Sequence, residues 1–329
     1  MRRWIVYGAS LVVSVFFLWL ALRDVPLAEV WAGIQRAEIF WILVSFAGVV
    51  GAQLTRAVRW RGLLDNRIPL GKTFHILNVM MMLNQVPLRV GELARVLLAT
   101  RSGVPVVTAA TSIVVERLID IVMVVLLLAF ALSRLPNVDP LVVQTAALFG
   151  VAAVAGFIVL ILFARYPAFA HRLLTWIEAR LPFLKRVNLV RRLEEMIDGL
   201  KPLTHLGHAT HAILWTLIAW AFSLATFYAV QRSLTLVGYD MWLAGALTVP
   251  LVAFSIAIPV TVASLGPFQG AVRIGAQAFG IPAVDASTLG FLFHGVTVIT
   301  YSVWGVIGLL ALGVSLRDVM SAEKTETAA

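Results

Sequence analysis

Charged and amide side chains interrupt an otherwise apolar sequence at a few places. Asn84-Gln85-Val86-Pro87-Leu88-Arg89-Val90-Gly91-Glu92 is followed by Arg95. Glu116, Arg117 and Asp120 share one apolar run, Ser264-Leu265-Gly266-Pro267-Phe268-Gln269-Gly270 precedes Arg273, and His294 stands in the last run. Glu92 and Arg95 are three apart and Glu116 and Asp120 four apart, so each pair can share a helix face. Arg117 then points about 100° away from Glu116. Two chemistries fit this pattern. In one, the charges pair with each other, for example Arg89 or Arg95 with Glu116 or Asp120. In the other, Arg89, Arg95, Arg117 and Arg273, with Asn84 and Gln269, make a positive pocket beside backbone amides, suited to a phosphate headgroup. Glu92, Glu116, Asp120 and His294 would then orient the arginines or carry protons.

Other chemistry finds little support. The chain has no cysteine, which removes thiolate metal sites and cysteine nucleophiles. His205, His208 and His211 resemble a metal run, but Gly207 lies among them and the outer two do not share a helix face, so a membrane-boundary role is preferred. No catalytic residue, metal or cofactor is expected.

The elements that hold these residues are membrane spans. Of 329 residues 60% are hydrophobic and 13% charged, against roughly 25% charged in soluble domains. Apolar runs such as Trp4 to Leu22, Leu141 to Ala164 and Ala212 to Val230 are near the roughly 20 residues that cross a bilayer. The first run is longer than a signal-peptide core and no small-x-small site follows Leu22, so it reads as an uncleaved span. Six spans are expected near 4–22, 39–58, 105–131, 141–164, 211–231 and 286–313. With both termini cytoplasmic, sixteen Lys and Arg fall in inside segments and only Arg23, Arg36, Arg134 and Arg232 outside. That is the positive-inside asymmetry of a cytoplasmic (inner) membrane protein. The net charge of +9 therefore points to the membrane surface and not to nucleic acid. Arg56, Arg59 and Arg61, at the inner end of the second span, read as snorkelling to the interface, with lipid-headgroup contact as the alternative.

Residues 70–103 and 242–282 are apolar at their flanks and broken in the middle, the second also by Pro259. They are expected to be re-entrant hairpins, since irregular backbone at membrane depth must be buried in protein or line a cavity. The alternative is two ordinary spans at each place, ten crossings in all. Span, span, hairpin, span then describes residues 1–131 and again 141–313, starting from opposite sides. The expected fold is thus an all-α integral membrane bundle, a single domain spanning 1–329, arranged as an inverted-topology repeat. Paired interrupted segments in such repeats point to a midplane substrate site. Residues 165–208 form a cytosolic linker, in which Leu189, Leu193, Met196, Ile197 and Leu200 recur at helical spacing and suggest an interfacial amphipathic helix.

Together, Arg56-x-x-Arg59-Trp60, Asn84-x-x-Pro87-x-Arg89-x-Gly91-Glu92-x-x-Arg95 and Glu116-Arg117-x-x-Asp120 resemble the flippase-like transmembrane domain of the lysylphosphatidylglycerol synthase family, over roughly residues 5–315. The resemblance implies lipid translocation with the substrate open. It also implies no lipid synthesis by this chain, which lacks the family's soluble acyltransferase-like domain. One departure falls in the second hairpin, where a Gly-rich element that usually carries a Glu has Gln269. If that Glu couples transport to protons, the correspondence breaks there.

Three functions are therefore weighed. The first is a flippase or transporter binding an anionic phospholipid or polyprenyl-phosphate headgroup. The second is an accessory scaffold for a partner synthase. The third is a membrane-embedded lipid-phosphate enzyme, with Glu116 and Asp120 holding a metal. The third is disfavoured because the acids sit beside arginines and neither an Asp-Gly-x-x-Ala-Arg signature nor a lipid-phosphatase motif set is present.

Overall fold

The computed structural model describes residues 2–86, 90–135, 140–180, 197, 201–236, 238–256 and 261–316. In chain order its α-helices are α1 (Arg2–Leu22), α2 (Leu27–Arg36), α3 (Ile39–Leu63), α4 (Leu70–Leu83), α5 (Gly91–Thr100), α6 (Val106–Arg134), α7 (Pro140–Arg165), α8 (Pro167–Arg180), α9 (Leu206–Ser233), α10 (Met241–Ile256), α11 (Pro267–Gln277) and α12 (Ala283–Leu312). No strand occurs among the described residues. Proline punctuates this order. Pro26, Pro69, Pro105 and Pro282 precede helices, and Pro140, Pro167 and Pro267 begin them. Proline's fixed φ suits a first turn, and its missing N–H costs nothing there.

Six long helices lie where the six spans are expected. Four of them hold stretches long and apolar enough to cross a membrane, namely α3, residues 143–165 of α7, α9 and α12; α1 from Ser10 and α2 qualify together as a pair bent by 84°. The protein is a multi-pass helical membrane protein. α6 has 29 residues, but Glu116, Arg117 and Asp120 in its middle keep it from qualifying on composition.

Two helices were not anticipated. α2 follows the first long helix and packs on α12, with Val30 buried and Gly33 against Thr288. α8 occupies the start of the linker. Of the linker's expected amphipathic face only Ile197 is described, and it is buried beside Leu63, Ile119, Ala164 and Leu203. Leu189, Leu193, Met196 and Leu200 lie outside the described residues, as does Pro259.

The four helices of the two interrupted regions are short. α4, α5, α10 and α11 have 14, 10, 16 and 11 residues, so each is about 15 to 24 Å long, less than the roughly 30 Å of bilayer hydrocarbon. Packing between the halves is reciprocal. α12, which follows the second interruption, lies along α4, and α6, which follows the first, lies along α10. α3 and α9 make the most extensive pairing. A Cβ on Gly48 would sit 2.5 Å from Thr226, and one on Gly51 2.5 Å from Phe222. Small residues let membrane helices approach closely where no water-driven collapse can press them together.

Two apolar cores flank this contact. One holds Trp60, Ile76, Met80, Leu83 and Leu98. The other holds Phe227, Val249, Phe268, Leu289 and Phe293.

Candidate functional site

The polar residues of α3, α5 and α6 converge. Arg59 of α3 is 2% exposed. It donates from Nε to Glu116 Oε1 at 3.2 Å, and from Nη1 and Nη2 to the two Asp120 oxygens at 2.8 and 3.1 Å. Its Nη1 also reaches Thr216 Oγ1 of α9 at 2.9 Å. The second Glu116 oxygen accepts from Nη2 of Arg95 on α5, so one carboxylate bridges two arginines. Arg117 pairs with Glu92, tying α6 to the start of α5 a second time. Two indoles complete the shell. The Arg95 guanidinium lies 3.9 Å from the centroid of the Trp60 ring, a cation–π contact. Trp220 Nε1 donates to Asp120 Oδ1 at 3.3 Å.

A lone ion at the bilayer centre costs about 3 kcal/mol on insertion scales, and here each carboxylate answers at least one arginine. The network is still not saturated. Arg95 Nε and Glu92 Oε2 are buried without a hydrogen-bond partner.

The two interruptions meet each other. Ala263 N–H donates to the Gln85 carbonyl at 2.8 Å, and Gln85 Nε2 donates to Ser302 Oγ of α12 at 3.3 Å. Each break is held by contacts that its sequence requires. At Gly91 a Cβ would lie 2.1 Å from the Met80 carbonyl and 2.5 Å from Asn84 Oδ1, so α5 can turn back against α4 only with glycine there. Gly266 has φ +94° and presses on the α1 backbone at Leu18. Val262 N–H donates to Ser14 Oγ of α1 at 2.9 Å.

Gln269 and His294 form a second network at this break. Gln269 Oε1 accepts from Gly266 N–H at 2.8 Å, and its Nε2 donates to His294 Nδ1 at 2.9 Å. His294 Nε2 then donates to the Ala263 carbonyl at 2.8 Å. Gln269 therefore holds the N-terminus of α11 and, through His294, the residue that bonds Gln85.

The expected site residues thus divide. Arg95, Arg117, Glu92, Glu116 and Asp120 come together in one network. Gln269 and His294 belong to the other, and Asn84 ends α4 with its Oδ1 buried and unbonded. Arg273 is apart from both, donating to the Ala21 carbonyl of α1 at 2.7 Å and to Gln277 at 3.2 Å. Arg89 lies outside the described residues.

Arg59 does not reach outward to an interface, being buried in the bundle. α3 continues to Leu63, five residues past the expected span end, which places Arg59 inside the bundle. Arg61 bonds the Ile68 carbonyl at 3.2 Å, and Arg56 turns to Gln53 and Ser223. Arg59 is the main residue missed. The available signal was its position one helical turn beyond Arg56, followed by Trp60.

The sequence profile of the lysylphosphatidylglycerol synthase TM region matches residues 8–305 of the chain. The chain belongs to this family. No curated protein and no solved structure matches it. Both networks and both interruptions fall within the matched region, and the family makes this a membrane lipid-related protein.

Proposed function

We propose that this family member binds the anionic headgroup of a phospholipid or polyprenyl-phosphate lipid in a polar groove near the bilayer midplane and moves it across the membrane. The observation that carries the reading is the junction of the two interrupted segments, Gln85 to Ala263, together with a buried set of arginines and carboxylates that includes Arg95 on the helix after the first break. In this reading α6 crosses the membrane as well, its charges tolerated because Arg59 and Arg95 answer them. The α4–α5 and α10–α11 pairs are re-entrant, being too short to cross. The reciprocal packing of α12 on α4 and α6 on α10 is what an inverted-topology repeat produces. The two halves would then open alternately on either side of the hairpin junction.

We place both termini in the cytoplasm and the protein in the cytoplasmic membrane, on the distribution of Lys and Arg. The reading is transport and not chemistry, because Glu116 and Asp120 are already held by arginine and present no free pair for a metal. A partner synthase that supplies the lipid fits the same account.

The test is reconstitution in liposomes with short-chain fluorescent phosphatidylglycerol, its aminoacylated form and a polyprenyl phosphate, followed by dithionite-resistant fluorescence. Movement of one lipid class, lost in Arg89→Ala and Glu116→Ala proteins that remain folded, supports transport and names the class. No movement of any of the three overturns it for these lipids and shifts weight to the scaffold role.

A further inference from the structure

Among the described residues the buried and half-buried arginines divide into those that pair with a carboxylate and those that do not. Arg59 is held by Glu116 and Asp120, Arg95 by Glu116, and Arg117 by Glu92. Arg273 is held by a helix-terminal carbonyl. Arg56 differs. It is half-buried in α3, about 10 Å short of that helix's C-terminal end, and forms no ion pair among the described residues. Among the described residues its hydrogen bonds go only to neutral oxygens, Gln53 Oε1 at 3.3 Å and Ser223 Oγ of α9 at 3.1 Å. Asp120 is within its electrostatic reach, but both Asp120 oxygens are occupied by Arg59 and Trp220.

A second, independent observation points the same way. Gln53 is fully buried, and its Nε2, joined through the same amide to the oxygen that Arg56 touches, is buried with no hydrogen-bond partner. An orphaned buried donor beside a guanidinium with no carboxylate of its own is a costly arrangement for the protein alone. An anion with several acceptor oxygens relieves both at once.

We propose that Arg56, with the Gln53 amide and Ser223 between α3 and α9, is a binding site for a phosphate group. Its partner chemistry is a phosphate mono- or diester, presented as a lipid headgroup or as a free phosphate. The guanidinium supplies the charge and a planar fork of donors, Gln53 Nε2 supplies a further donor, and Ser223 keeps the fork aimed. This rests on the transport reading for its biological use, but the site can exist without transport.

The test is native mass spectrometry of the detergent-solubilised protein titrated with phosphatidylglycerol, with diacylglycerol of the same chains as the uncharged control and inorganic phosphate as competitor. Arg56→Gln is expected to weaken phosphatidylglycerol binding about tenfold or more, leave diacylglycerol binding unchanged, and be partly rescued by Arg56→Lys. Gln53→Glu, which keeps the arginine but sets a carboxylate against it, is expected to lose binding to the same degree and covers the case in which Arg56→Gln does not fold. Competition by inorganic phosphate supports the site with a soluble anion as ligand; lipid binding without competition supports it with a headgroup. Wild-type affinity in both folded variants, or no binding of either phosphate probe to the wild type, overturns the site. Arg56-dependent binding without lipid movement in liposomes would leave the site standing and sink only the transport reading.

Discussion

The carbonyl of Gln85 accepts a hydrogen bond from the N–H of Ala263 at 2.8 Å, joining the breaks in two interrupted segments that lie far apart in sequence. Each break is also tied to a long helix, the first to Ser302 of α12 and the second to Ser14 of α1 and His294 of α12. A movement of either hairpin must therefore change contacts of the other. Four expectations follow from the networks on either side of this junction.

Glu116 bridges Arg59 and Arg95 deep in the bundle, so Glu116→Leu leaves two buried guanidinium groups short of an acceptor. The expected loss is about 3 to 5 kcal/mol, read as a lowered midpoint in detergent thermal or denaturant unfolding. The double variant Arg95→Leu with Glu116→Leu is expected to lose less than the sum of the single changes, because the second change removes the guanidinium that the first leaves unpaired.

Gly91→Ala places a methyl 2.1 Å from the Met80 carbonyl, a backbone atom that cannot swing aside. It is expected to destabilise the protein by more than 1 kcal/mol. Gly71→Ala, on the same hairpin with nothing within 4 Å, is expected to leave the melting temperature unchanged or slightly raised.

Gln269→Leu removes the acceptor of Gly266 N–H and the donor to His294 Nδ1 together. Leaving buried polar groups unpaired costs about 1 to 3 kcal/mol. The loss is expected to be local, appearing as faster hydrogen exchange across residues 261–270, with exchange at the Arg59 network little changed.

How far the sequence anticipates this arrangement depends on where each signal lies. Long apolar runs announce α3, α7, α9 and α12, because the bilayer fixes both length and composition. The interruptions at Asn84 to Glu92 and Ser264 to Gly270 are equally visible as proline, glycine and charge inside apolar flanks. The pairing of Arg95 with Glu116 was among those that spacing allowed. Arg59 was missed because a charge near the end of an apolar run looks interfacial; its partner Glu116 is 57 positions away, and only the tertiary fold brings them together. α2 was missed although its sequence is amphipathic, because its ten residues fall in the short segment between two apolar runs, and α8 lies in a stretch read only as a linker. Gln269 is polar in sequence whichever role it has, and only the geometry shows it holding Gly266 and His294.

The central claim is that the two hairpins meet at Gln85 and Ala263 and must part for a lipid to pass. The chain has no cysteine, so Gln85→Cys with Ala263→Cys can form a disulfide only between those two positions within a chain. The 2.8 Å N–H to carbonyl contact brings the two backbones together there, and a disulfide prefers a Cα separation of roughly 5 to 6 Å. The measurement is lipid movement in proteoliposomes of the double-cysteine protein, reduced and then oxidised. The account predicts rapid intramolecular cross-linking, movement when reduced, loss when oxidised and recovery on adding reductant. Undiminished movement in fully cross-linked protein would contradict it.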